Sequence, residues 1–69
     1  MFTEKIELLL IKRKMSKVEL ATRLNSSQQN LYAKMKKDDF RESDMQKIAA
    51  ELGCHLEINL VMNDTNERF

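Results

Sequence analysis

Residues 15–37, MSKVELATRLNSSQQNLYAKMKK, decide the fold. They read as two short helices joined by a tight turn. Ser16 stands where an N-cap belongs and Glu19 follows three residues later, which is capping-box spacing. Leu20, Ala21 and Leu24 then make an inward stripe. Ala21 is small enough to let the next helix cross closely, and Asn25 tolerates the left-handed backbone of a sharp turn. Ser26 or Ser27 caps the second of these helices. It runs to about Lys36, turning Leu31 and Met35 inward at i, i+4 spacing and leaving Gln28, Gln29, Asn30, Tyr32, Lys34 and Lys36 on its other side.

The same region is strongly basic. Residues 12–37 hold eight Lys or Arg and one acid, Glu19, a net of +7. Residues 1–11 sum to −1 and residues 38–69 to −5, so the whole chain nets only +1. A polarised molecule lies behind the near-neutral total, with a basic middle suited to phosphates and an acidic half facing away from them.

On the N-terminal side, Thr3 is placed as the N-cap of a first helix that runs to about Lys14, with Phe2, Ile6, Leu9 and Leu10 inward and Lys12, Arg13 and Lys14 at the end the dipole favours. Leu8 and Ile11 lie beside that stripe and suggest a docking surface for the C-terminal strand. On the C-terminal side, the loop after Lys37 drops Phe40 into the core. A fourth helix then covers roughly Glu42 to Leu52, with Met45, Ile48, Ala49 and Leu52 inward, and Gly53 ends it. The expected core is therefore Leu10, Leu20, Ala21, Leu24, Leu31, Met35, Phe40, Ile48 and Leu52. After Gly53 the period drops to two. Leu56, Ile58, Leu60 and Met62 alternate with His55, Glu57, Asn59 and Val61, the pattern of a half-buried strand. A lone strand needs a partner, either the last residues of the chain through a turn at Asn63 and Asp64, or the same strand of a second subunit. The tail is short and polar, which favours the second.

Composition narrows the function classes. Sixty-nine residues make one small domain, too short for an enclosed active site of usual size, and the expected function is not enzymatic. One Cys and one His cannot build a tetrahedral metal site, and His55 has no nucleophile in a triad pattern, so neither metal nor cofactor is expected. The single Cys54 fits a reducing cytosol, as a buried apolar residue. No apolar run approaches a membrane span, and the short run from Leu8 to Ile11 lacks a signal-peptide layout; a soluble, cytoplasmic protein is expected.

The chemistry of the basic segment is that of duplex recognition. Gln and Asn carry a donor and an acceptor on one planar group and can make paired hydrogen bonds to adenine in the major groove. At the first turn of a helix, Gln28, Gln29 and Asn30 sit where base readout is done. Lys34, Lys36 and Lys37, with Lys17 and Arg23 nearby, suit phosphates. Tyr32 either packs on the surface or touches the sugar-phosphate backbone.

Residues 16–35 resemble the helix-turn-helix of Cro/C1-type regulators, the XRE family. Ser16, Leu20, Ala21, Leu24, Ser27, Gln28, Gln29 and Leu31 match its pattern. Ile48, Ala49, Leu52 and Gly53 match its fourth-helix motif, and the likeness covers residues 2–53. It implies a mainly α, four-helix lambda-repressor-like DNA-binding domain over residues 1–53, here followed by a C-terminal β-strand over 54–62 and a polar tail over 63–69. It also implies that Gln28 and Gln29 contact bases and that Lys17 and Ser27 lie at phosphates. Many phage repressors pair an Arg in the first helix with a Glu late in the recognition helix. The corresponding residues here are Leu10 and Met35, and an apolar contact is expected in place of the ion pair. The strand lies outside the common five-helix plan and resembles the short Cro-like forms that dimerise through one. The expectation is a homodimer, paired through Leu56, Ile58, Leu60 and Met62, that binds double-stranded DNA as a transcriptional regulator, with repression the expected direction and no membrane or small-molecule partner. The alternative is a protein-interaction module such as the antitoxin of a toxin–antitoxin pair.

Overall fold

The computed structural model describes residues 1–69. The chain is mainly helical, with α1 (Phe2–Arg13), α2 (Lys17–Arg23), α3 (Gln28–Lys37) and α4 (Glu42–Glu51). Each helix after the first begins on a local cap. Ser16 Oγ accepts from the Glu19 amide at 3.0 Å. Ser27, rather than Ser26, caps α3, accepting from the Asn30 amide at 3.1 Å. The Asp44 carboxylate accepts from the Arg41 amide at 3.2 Å at the start of α4. Half of the expected capping box at α2 is missing, because Glu19 turns forward to pair with Arg23 at 2.8 Å.

All four helices stop in the same way. Lys14, Asn25, Asp38 and Gly53 take left-handed φ values of 54°, 54°, 53° and 71°. The amide after each reaches back five residues, Met15 to Leu10, Ser26 to Ala21, Asp39 to Lys34 and Cys54 to Ala49. This Schellman closure satisfies carbonyls that a helix end otherwise leaves open, and it keeps the connections short.

Ile6, Leu10, Leu20, Ala21, Leu31, Met35, Ile48 and Leu52 form one buried cluster, and Ala49 is buried too. Leu20 and Ala21 lie in it because α2 packs against both α3 and α4. Leu10 and Met35 belong to the same cluster, with no charged group buried anywhere in the fold. Leu24 and Phe40 are half-buried against this cluster rather than inside it. Phe40 follows the left-handed exit of α3 and covers the rim, edge-on to Phe2 with ring centroids 5.1 Å apart.

Two long-range polar contacts tie the helix ends together. Thr3 is not the N-cap of α1, since the helix begins at Phe2. Instead the carboxylate of Asp38, at the end of α3, accepts from both the amide and the hydroxyl of Thr3 at 2.8 Å, capping α1 from outside. The shared proton donors hold the Asp38 carboxyl below the ordinary aspartate range, the Thr3 amide contributing most. At the other end of α1, Arg13 Nε donates to the Leu52 carbonyl at 2.9 Å, satisfying the C-terminus of α4.

Beyond Gly53 the chain is extended, and residues 55–59 make no backbone hydrogen bonds. The tail folds back, the first of the two expected arrangements, through a turn at residues 63–65. Leu60 and Phe69 exchange two backbone bonds at 2.9 Å, and Met62 donates to Glu67, around a turn in which Asn66 has φ 62°. This is one antiparallel bridge, Val61 with Arg68, and not a strand ladder. Leu56 is half-buried while Ile58, Leu60 and Met62 are exposed, because no second sheet face covers them. Nor does the arm dock on Leu8 and Ile11, which remain 68% and 76% exposed. It runs past the other flank of α1, so that Leu56 and Ile58 share a groove with Phe2 and Leu9. The radius of gyration, 13.7 Å, exceeds the ~11 Å of a close-packed chain this long, as a projecting arm requires. No helix is long and apolar enough to cross a membrane.

Candidate nucleic-acid interface

α3 is amphipathic with a narrow apolar back. At about 100° per residue, Leu31 and Met35 mark its buried side and Ala33 lies opposite them. Gln29 and Lys36 flank Ala33 on one side, Asn30 and Lys37 on the other, and all five are exposed. Ala33 occupies the middle of this face. A lone Ala carries no chemical signal in a sequence, and only its helical phase marks it.

The remaining polar residues of α3 lie on the flanks. Gln28 is exposed but sits on the side toward α2, next to Tyr32. Tyr32 is held there by α2, with Lys17 Nζ 5.9 Å from its ring centroid, within cation–π range. Tyr32 as a whole is still 41% exposed. Lys34 lies on the opposite flank, where its ammonium meets Asp44 of α4 at 3.2 Å. The Arg41 amide, and after it the Lys34 side chain, keep the Asp44 carboxyl below its usual range. Ser27 is exposed, but its hydroxyl oxygen is engaged as the α3 cap.

Pairing divides the basic window into two groups. Arg23 and Lys34 are neutralised by carboxylates, and Arg13 is occupied by the carbonyls of α4. Lys12, Lys14, Lys17, Lys36 and Lys37 have no acidic partner within ion-pair distance and are exposed. Lys36 and Lys37 stand at the C-terminal end of the face that Gln29 and Asn30 begin, so the amides and the unpaired charges share one surface. Of the positions foreseen for base and phosphate contact, Gln29, Asn30, Lys36 and Lys37 share the exposed face, Gln28, Tyr32 and Lys17 lie on its α2 flank, Ser27 caps the helix and Lys34 is bound to a carboxylate.

No three His, Cys, Asp or Glu side chains converge in a metal-binding arrangement. His55 meets only Glu57, at 3.7 Å on an exposed arm. Comparison with protein-family models, with curated proteins and with solved structures returns no match.

Proposed function

We propose that this protein binds double-stranded DNA through α3 and acts as a dimeric transcriptional regulator. The observation that carries this is the make-up of one surface: amides at the first turn of α3, small Ala33 at its centre and unpaired lysines at its end, over an apolar back of Leu31 and Met35. A groove-bound helix needs that order, with planar donors and acceptors at its N-terminal turn and cations beside the phosphates. Ala33 lets the backbone approach closely and offers its methyl to thymine. Lys36 and Lys37 set the register, while Lys17 and Tyr32 extend the contact toward α2.

The arm supplies the second half of the reading. Residues 55–59 carry unpaired backbone groups and an alternating apolar pattern, and such an edge is satisfied by a copy of itself across a two-fold axis. Two α3 helices then meet successive major grooves about 34 Å apart. This reading takes the four helices as a lambda-repressor-like domain, the plan that the sequence resembles.

A second reading has its own observation. The exposed Leu8, Ile11, Leu60 and Phe69 are large apolar side chains that suit a protein partner, as in an antitoxin. Titrating duplex binding with salt separates the two. DNA binding through free lysines gives log affinity falling steeply and linearly with log salt. Absence of binding at every salt concentration leaves the protein-partner reading.

A further inference from the structure

We propose that Asp44 withholds Lys34 from the DNA backbone and thereby sets the strength and salt dependence of duplex binding. This inference rests on the DNA reading of α3 and adds a residue of α4 to it. Lys34 follows Asn30 by one turn along the α4 side of the exposed face, so an unpaired ammonium there would reach a phosphate beside the groove. It is not unpaired: its Nζ lies 3.2 Å from Asp44 Oδ2.

The carboxylate is the fixed member of the pair. Asp44 sits in the first turn of α4, accepts from the Arg41 amide at 3.2 Å and is 23% exposed, against 46% for Lys34. It cannot follow the lysine outward without uncapping its helix. A cleft of about 400 Å³ between α3 and α4 takes its walls from Asn30 and Lys37 as well as from Lys34 and Asp44. A phosphate brought against Asn30 and Lys37 therefore finds the Lys34 ammonium already paired in the same cleft, which Asp39 and Arg41 also line. A lysine already neutralised by a carboxylate displaces no cation from DNA, so it adds nothing to the counterion-release term. Lys36 and Lys37 do the holding, and Asp44 limits it.

The test is the salt slope of binding to a random-sequence duplex, measured by fluorescence anisotropy for five full-length chains. Asp44→Asn removes the charge but keeps an oxygen for the Arg41 amide, and thermal melting by circular dichroism checks that each chain folds. Lys36→Gln should flatten the slope by about 0.9, the value of one phosphate contact. Lys34→Gln should leave it unchanged. Asp44→Asn should steepen it by about 0.9 and raise affinity on the order of tenfold at 50 mM salt. The double variant Asp44→Asn, Lys34→Gln should return to the wild-type slope.

A Lys34→Gln slope that flattens as much as that of Lys36→Gln overturns the inference, because Lys34 would already be on a phosphate. So does an unchanged slope for Asp44→Asn, or a double variant as steep as Asp44→Asn alone, which would be a general charge effect. A wild-type chain that leaves the duplex unbound refutes the DNA reading itself, and the inference with it.

Discussion

Replacing Met35 by Glu tests the dry cluster that holds Leu10 of α1 together with Met35 of α3. Met35 is 7% exposed and Leu10 5%, in a cluster without a single buried charge. The substitution removes apolar burial worth about 1.5 to 3 kcal/mol. It also puts a carboxylate into a cluster that holds no buried cation, and an uncompensated buried charge costs about 3 to 5 kcal/mol. A chain of this size has roughly 3 to 10 kcal/mol of stability in total, so the variant should lie near its folding threshold at neutral pH. The pH dependence gives a signature. Burial raises the pKa of the introduced carboxyl above its unfolded value, so the native state binds the extra proton and the deficit relative to the parent should shrink as pH falls from 8 to 5. Adding Leu10→Arg should restore part of the loss by supplying the missing partner. Urea denaturation followed at 222 nm reads all three effects. A single variant with the parent's midpoint at pH 8, or a deficit that grows on acidification, would refute the assignment of these two residues to one dry contact.

Other outcomes follow from the caps and the interface. Asp38→Asn should flatten the acid side of the stability profile: with its folded pKa depressed, Asp38 contributes stability above its unfolded pKa that is lost as pH falls through the folded value, and urea melts between pH 5 and 2 would show it. Gly53→Ala should lose about 1 to 2 kcal/mol in the same assay, since a side chain at φ 71° is strained and its Cβ would stand 3.2 Å from Arg13 Nη2. Removing residues 54–69 should convert a dimer to a monomer by light scattering, and a full-length monomer at high concentration would remove the pairing of the arms. Gln28→Ala should lose about 1 to 3 kcal/mol of discrimination between a selected site and random duplex, while Lys36→Ala weakens both alike; equal losses from both variants would contradict the division of labour along α3.

The helices were legible because their signals are local. Ser16, Ser27 and Gly53 announce caps within a few residues, and the spacing of Leu20, Ala21, Leu31, Met35, Ile48 and Leu52 marks the buried faces. What escaped depends on contacts across the fold. Asp38 caps α1 over a separation of 35 residues, and Arg13 reaches a carbonyl 39 residues away. Thr3 looks like an N-cap in sequence because Asp38, which does the capping, is nowhere near it in the chain. Lys14 and Asp38 end helices in a left-handed conformation that composition assigns to Gly or Asn. Lys34 reads as a free lysine until α4 brings Asp44 beside it. The fold-back of the tail rests on backbone alone: a left-handed Asn66 and four backbone bonds join residues 60–62 to residues 66–69, and no side-chain pattern announces them.

Selection of bound duplexes from a pool of randomised DNA tests most directly whether α3 reads base pairs. The expected product is a two-fold symmetric site with half-sites about 10 base pairs apart, whose preferred bases change when Gln28 or Gln29 is replaced by Ala. Recovery of unenriched sequence, or of the same site from wild type and both glutamine variants, would contradict it.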